Sequence, residues 1–257
     1  MKKHLEKHSS TYMTKNYRKK TEKFFSEYFG KKRGVDVLHG SLAGRLEFEK
    51  FFSFLHVPTG SSVIELGCGY GRFVLQLLAR GYTVTGVDIS KESLDVLKES
   101  AEKNKLDDRL TLVENDFSKP IFKNKFEAAY CISTFHLLAG EEEDRIAIFS
   151  NLIKSVKPGG VVLVIEPNPL NPLYYPFYLF SDQVSWELEK TFLKSNEVNL
   201  RRIYKQLKLK NITVSYFGFL PNRFMNYIPV VSYLNNFMNN IPFLNKFSSF
   251  IYIRGEK

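Results

Sequence analysis

Val63-Ile64-Glu65-Leu66-Gly67-Cys68-Gly69-Tyr70-Gly71-Arg72-Phe73 joins a buried strand to a helix, expected to begin at Arg72 or Phe73, through a loop of alternating glycines. A glycine at every second position lets the backbone approach a ligand without a Cβ in the way and tolerates positive φ. The spacing is G-x-G-x-G. It differs from the G-x-G-x-x-G pattern that seats a pyrophosphate on a helix N-terminus. A tight strand-to-helix turn also needs glycine on steric grounds alone, so the loop by itself leaves both readings open.

The flanking sequence decides between them. Gly81 reads as a helix C-cap, and Tyr82–Val87 reads as a β-branched strand that stops at Asp88. A carboxylate at the tip of a second strand can accept both hydroxyls of a ribose. Ile89 behind it either covers one face of a base or simply packs the turn. Ser90 is placed to cap a helix running to about Lys105, with Leu94 and Leu97 on its buried face. A third strand, Arg109–Val113, leads into Glu114-Asn115-Asp116-Phe117, and a fourth covers Phe126–Ser133. The next helix opens on Glu141, Glu142, Glu143 and Asp144 and closes near Lys154 and Lys157, the charge order that a helix dipole favours. The turn Lys157-Pro158-Gly159-Gly160 then precedes a fifth strand, Val161–Glu166. Alternating elements with continuously apolar strands predict a largely parallel sheet covered on both faces, with a ligand beyond the strands' carboxyl ends. Glu65, Asp88, Asp116 and Cys131 all fall at those ends.

With Glu65 ahead of the loop, Asp88 and Asp116 in register and the phrase LIKSVKPGGVVLVIEP at 152–167, the chain resembles the class I S-adenosylmethionine-dependent methyltransferases. The resemblance is close over residues 61–166 and loose elsewhere. It implies an α/β, Rossmann-like, doubly wound seven-stranded sheet, whose last two strands, 212–217 and 249–254, form a closing antiparallel pair. It implies S-adenosyl-L-methionine as cofactor, held by Glu65, Gly67, Cys68, Gly69, Gly71, Asp88, Ile89, Asp116, Phe117 and Cys131. In that family the residue at Asp116 accepts from the adenine amino group, and the next backbone amide, that of Phe117, serves the ring.

At 257 residues one decorated domain is expected. Residues 1–60 read as a basic helical N-terminal lid and 61–257 as the methyltransferase domain, with aromatic acceptor-side insertions at about 168–195 and 218–247. No apolar run of eighteen residues and no cleavable leader is present, which predicts a cytoplasmic protein. Cys68 and Cys131 provide neither a disulfide framework nor a metal-ligand spacing, so no metal is expected.

Charge is unevenly distributed. Residues 1–33 carry a net +8, residues 34–169 a net −4 and residues 170–257 a net +6. Basic flanks around an acidic core imply an acidic acceptor or peripheral contact with an anionic membrane surface, although a solvated basic helix explains the N-terminal run equally well. Residues 17–33 read as an amphipathic helix with Phe24, Phe25, Tyr28 and Phe29 between charges, and a second helix is expected over Gly44–Leu55. Nineteen of the thirty-eight aromatic residues lie in 170–257, which suits an apolar acceptor, an interfacial surface or an internally packed cap.

Methyl transfer is an in-line displacement, in which positioning does most of the work. A hydroxyl acceptor needs a base, and His136 after the fourth strand is the candidate, with Glu166 as substitute and a structural histidine as the alternative. The fourth strand ends Tyr130-Cys131-Ile132-Ser133, without the Asn or Asp-Pro-Pro-Tyr or Phe motif that grips a planar amino group. A small-molecule, lipid-like or sugar acceptor, methylated on oxygen or else on carbon, is therefore expected ahead of RNA or protein, and ahead of a non-catalytic partner subunit.

Overall fold

The computed structural model describes residues 16–28, 38, 41–176, 185–218 and 241–257. The insertion expected at 218–247 lies mostly outside the described residues, as do the start of the chain and residues 177–184.

Two helices come first, α1 over 16–28 and α2 over Leu42–Leu55. The order then runs β1 (Ser62–Leu66), α3 (Val74–Ala79), β2 (Thr83–Asp88), α4 (Lys91–Lys103), β3 (Leu110–Glu114), β4 (Phe126–Ile132), α5 (Glu142–Ser155) and β5 (Val156–Pro167). It ends with α6 (Trp186–Glu189), α7 (Glu197–Gln206), β6 (Lys210–Phe217) and β7 (Phe250–Glu256). The sheet has seven strands in the order β3-β2-β1-β4-β5-β7-β6. β1 to β5 pair in parallel, and β7 runs antiparallel to both β5 and β6, the expected closing pair.

Strand alternation divides the core between the two faces of the sheet. Val63, Val84, Ala128 and Tyr130 pack with α2, α3 and α4, whereas Ile64, Val87, Ala129 and Cys131 pack with α5 and α7. Each parallel strand is thus apolar on both sides, as a covered parallel sheet requires. Ser41 caps α2 through Gly44 N, Ser90 caps α4 through Ser93 N and Asn196 caps α7 through Asn199 N. The helix after the glycine loop starts at Val74, slightly later than expected, because residues 71–73 are used by the turn. β5 begins at Val156, paired with Phe126, and the Lys157–Gly160 turn falls inside it where the register slips between Phe126 and Ala128. Among the described residues no helix is long and apolar enough to cross a membrane.

The order of strand addition reverses between the parallel neighbours β1 and β4, so the crevice opens beyond the carboxyl ends of these strands. α1 lies across that opening. Arg18 is ion-paired with Asp116, Ser26 Oγ lies 2.9 Å from Ser90 Oγ, and Tyr17 donates to Leu188 O at 3.3 Å. On the far side, Asn168 and Asn171 are fully buried. Their side chains donate to Lys246 O and Ser248 O and to Phe247 O, tying the proline-rich stretch after β5 to the lead-in of β7. The same carboxamide oxygens accept from Leu170 N and Leu173 N, which turns the chain back on itself twice without a regular element.

Candidate active site

A cavity of about 440 Å³ lies at the strand tips beneath α1. The glycine loop forms its floor. Gly67 N and Cys68 N donate to Val87 O, closing the loop onto β2. Gly67 has φ +74°, and a Cβ there would sit 2.2 Å from Thr134 Cγ2; at Gly71 a Cβ would sit 2.1 Å from Leu97 Cδ1. Protein packing therefore demands glycine at both positions, before any ligand is considered.

Glu65, at the end of β1, lines the cavity and is almost completely buried. Its Oε2 has no hydrogen-bond partner among the described residues. Burial raises its carboxyl to about 8, against the opposing pull of the nearby Tyr130 hydroxyl and the Arg72 guanidinium. A buried, unsatisfied acceptor of this kind asks for a donor, and a cationic one suits it best. Asp88 accepts from Gly69 N and Ser90 N, each at 2.9 Å. Burial pushes this carboxyl up as well, while those amides pull it down. Since a carboxylate has about four acceptor sites, Asp88 keeps capacity for a diol.

Asp116 lines the cavity together with Asn115 and Ile89. Burial would raise its pKa, but Ser118 and Arg18 hold it below the usual carboxylate range. Of the other expected residues, Cys68, Gly67 and Gly69 line the cavity, and Gly71 sits at the head of the turn into α3. Phe117 and Cys131 do not line it. The Phe117 amide is taken by Asn115 Oδ1 at 2.7 Å, and the alternation of β4 sends Cys131 to the α5 face while Ile132 takes the place at the cavity.

His136 and Glu166 also stand back from the cavity, with exposures of 1% and 0%. Glu166 accepts from Thr134 N, Phe135 N and His136 N, at 3.0, 3.0 and 3.2 Å, and its Oε2 lies 2.6 Å from His136 Nδ1. The other ring nitrogen, Nε2, lies 3.0 Å from Glu189 Oε2. Burial alone would lower the imidazole pKa, but the charges and hydrogen bonds of Glu166 and Glu189 raise it to about 10. Both ring nitrogens of His136 are thus engaged by carboxylates, an arrangement that favours the protonated ring. Of these three groups only Glu189, on α6, reaches the cavity.

Sequence reasoning did not find Glu189, Arg18, Thr21, Tyr174 or Asn115, all of which line the cavity. Arg18, Thr21, Phe25 and Tyr28 recur at helical spacing along the helix that the sequence placed over 17–33. Arg72 also lines the cavity and is held by the fully buried Glu47 through two bonds of 2.7 and 3.0 Å.

Comparison with known proteins agrees with this geometry. Residues 63–160 match the family model described as a methyltransferase domain. The cypemycin N-terminal methyltransferase of a Streptomyces species is 35% identical over 110 residues, 43% of this chain and 43% of the relative, so the match spans less than half of that relative. The ubiquinone biosynthesis O-methyltransferase of Rickettsia bellii is 22% identical over 205 residues, covering 79% of this chain and 83% of the relative. Among solved structures, Haemonchus contortus phosphoethanolamine N-methyltransferase 2 superposes with a TM-score of 0.60 at 18% identity, over 82% of this chain and 52% of that one. A SAM-dependent methyltransferase from Archaeoglobus fulgidus superposes with a TM-score of 0.59 at 16% identity, over 86% and 96%. Residues 63–160 thus match a methyltransferase domain, and the glycine loop, the acidic strand ends and the strand order give the chain the Rossmann-like fold of the S-adenosylmethionine-dependent methyltransferases on which it superposes.

Proposed function

We propose that this protein transfers a methyl group from S-adenosyl-L-methionine to a small-molecule or lipid-like acceptor enclosed beneath α1. The observation that carries the reading is the unsatisfied Glu65 Oε2, buried in the wall of a 440 Å³ cavity that also presents Asp88 and Asp116. Three acidic groups in that order fit an ammonium, a ribose diol and an adenine amino group. Glu65 would hold the ammonium, Asp88 the ribose hydroxyls, and Asp116 with Asn115 the adenine edge, while Ile89 covers a face of the base. When bound, the cofactor supplies an electrophilic methyl on a sulfonium sulfur. The chain's own contribution is to hold the acceptor in line behind that methyl and to exclude water. α1 provides the exclusion through Thr21, Phe25 and Tyr28.

Oxygen is one nucleophile this site can serve, and the Rickettsia bellii relative is by name an O-methyltransferase. In that case the base is not the ring of His136 directly, because both its nitrogens are engaged by carboxylates. Any proton leaving the acceptor passes first to Glu189, and His136 and Glu166 position that carboxylate. Nitrogen is the second reading, favoured by the same carboxylate, and the cypemycin relative is by name an N-terminal methyltransferase.

Purified protein titrated with S-adenosylhomocysteine in a calorimeter tests the cofactor half of the proposal. Incubation with methyl-labelled S-adenosylmethionine and separated lipid, small-molecule and RNA extracts tests the acceptor half. Heat of binding and label in a lipid or small-molecule fraction are expected. No heat with folded protein overturns the first half, and label confined to RNA overturns the second.

A further inference from the structure

Arg18 on α1 and Asp116 after β3 meet across 98 positions of the chain, and both line the cavity. Asp116 is held from two sides. Its Oδ1 accepts the Ser118 amide at 2.8 Å, an Asx turn that fixes the carboxylate on its own loop. Its Oδ2 takes the Arg18 guanidinium through Nη1. The loop itself is anchored, since Asn115 N donates to Asp88 O at 3.0 Å and Asn115 Oδ1 accepts the Phe117 amide. The orientation of Asp116 Oδ2 therefore depends on a residue of the covering helix as well as on the sheet.

What the pair is worth depends on what covers it. The Arg18 and Asp116 side chains are 23% and 33% exposed, and an ion pair that water still reaches adds little stability by itself. A purine laid against it would remove that water and strengthen the attraction, because the same charges then act through a lower effective dielectric. Burial alone would raise the Asp116 carboxyl, and Ser118 with Arg18 holds it below the usual carboxylate range, so the acceptor stays ionised as it is covered. An ionised carboxylate has about four acceptor sites, more than the Ser118 and Arg18 bonds use, which leaves one for a neutral N–H donor. Farther along the same helix, Ser26 Oγ meets Ser90 Oγ at 2.9 Å, and Ser90 N in turn donates to Asp88 Oδ1. α1 accordingly rests on Asp116 and on the support of Asp88, the two carboxylates assigned to the nucleoside.

We propose that Arg18 is a positioning residue for the base: by holding Asp116 Oδ2 it sets the carboxylate toward the adenine 6-amino group and ties closure of α1 to recognition of that group. The inference rests on the methyl-transfer reading above and adds the residue through which the covering helix takes part in choosing the nucleoside. Coupling of this kind is reciprocal, so what Arg18 adds to adenine binding, adenine adds to the hold on α1. A purine without the amino group covers Asp116 but offers it no N–H donor, and gains nothing from the orientation that Arg18 imposes.

The test titrates two ligands into the full chain, S-adenosylhomocysteine and the same compound with hydrogen in place of the adenine 6-amino group. The unaltered protein is expected to prefer the amino compound by about tenfold or more, the scale of one hydrogen bond to a charged acceptor. Arg18→Met, which keeps an apolar stem and removes the charge, should cut that preference to about threefold or less, and Arg18→Lys should retain part of it. In an Asp116→Ala background, Arg18→Met should change the preference no further. Each protein is measured with both ligands, so a general loosening of α1, which weakens both alike, is told apart from a loss of adenine reading. A preference unchanged in Arg18→Met overturns the proposal, and so does one that rises, which would mean that Arg18 competes with the base for Oδ2. Absence of any preference in the unaltered protein overturns it as well, before a variant is made. Failure of S-adenosylhomocysteine to bind folded protein would instead sink the methyl-transfer reading.

Discussion

Asp88 Oδ2 accepts the Gly69 amide at 2.9 Å, so the carboxylate that ends β2 also holds the glycine loop of β1 in place. One side chain therefore shapes the loop and faces the cavity. Asp88→Ala removes both the loop bond and the diol acceptor. S-adenosylhomocysteine affinity is expected to fall by about a hundredfold, on the scale of two hydrogen bonds to a charged group. Calorimetry checks this, and an unchanged Kd would mean that the ribose lies elsewhere.

Glu65 predicts a pH dependence with a definite sign. In the empty protein its carboxyl is raised to about 8, so it keeps a proton that the unfolded chain loses near 4.5. Its contribution to the stability of the empty protein is therefore full below pH 4.5 and is lost as pH rises through 8. Pairing with a ligand ammonium favours the ionised form, so binding should expel a proton. S-adenosylhomocysteine affinity should then weaken as pH falls below 8, by up to about tenfold per unit. Binding heats that vary with buffer ionisation enthalpy measure the proton directly, and Glu65→Gln should remove the variation.

The contact between Gly67 and Thr134 separates steric from functional demand. Gly67→Ala places a Cβ 2.2 Å from Thr134 Cγ2 at a φ of +74°, and a loss of about 2–4 kcal/mol in unfolding free energy is expected. Adding Thr134→Gly relieves the clash but not the φ, so the double variant should recover all but about 1 kcal/mol. Denaturant unfolding of the four proteins in the cycle gives the answer. Strict additivity of the two losses would show that the side chain of Thr134 is not what excludes a Cβ.

The parts legible in sequence were those fixed by local pattern. Strand runs ending in Glu65, Asp88 and Asp116 could be read because period and turn chemistry are properties of neighbouring residues, and all three line the cavity. Cys131 and Phe117 show where that reading stops. One step of strand parity sends Cys131 to the opposite face from Ile132, and the Asn115 side chain takes the Phe117 amide. Glu189 was invisible for a different reason. It meets His136 across 53 positions by way of a short helix, and neither residue's neighbours encode that meeting. His136 could be picked out by its place after β4, but its two carboxylate partners, which hold it away from the acceptor, come from tertiary packing alone.

α1 supplies the last test, because its cavity face is built from Arg18, Thr21, Phe25 and Tyr28 and its described anchors include polar side chains at the helix start and end. Its polar links among the described residues include the Arg18–Asp116 pair, the Ser26–Ser90 contact, the Tyr17 bond to Leu188 O and the surface pair of Lys20 with Glu187. Partly exposed pairs of this kind each contribute little, whereas two ring side chains covering a ligand contribute about 1.5–3 kcal/mol apiece when fully buried. Removing residues 1–28 should therefore leave the sheet folded, with its unfolding midpoint little changed, and should speed S-adenosylhomocysteine dissociation by at least about tenfold. Stopped-flow displacement measures the rate. A dissociation rate equal to that of the full chain would show that α1 rests on the cavity without closing it, and water exclusion would then have to come from Tyr174 and the segment after β5.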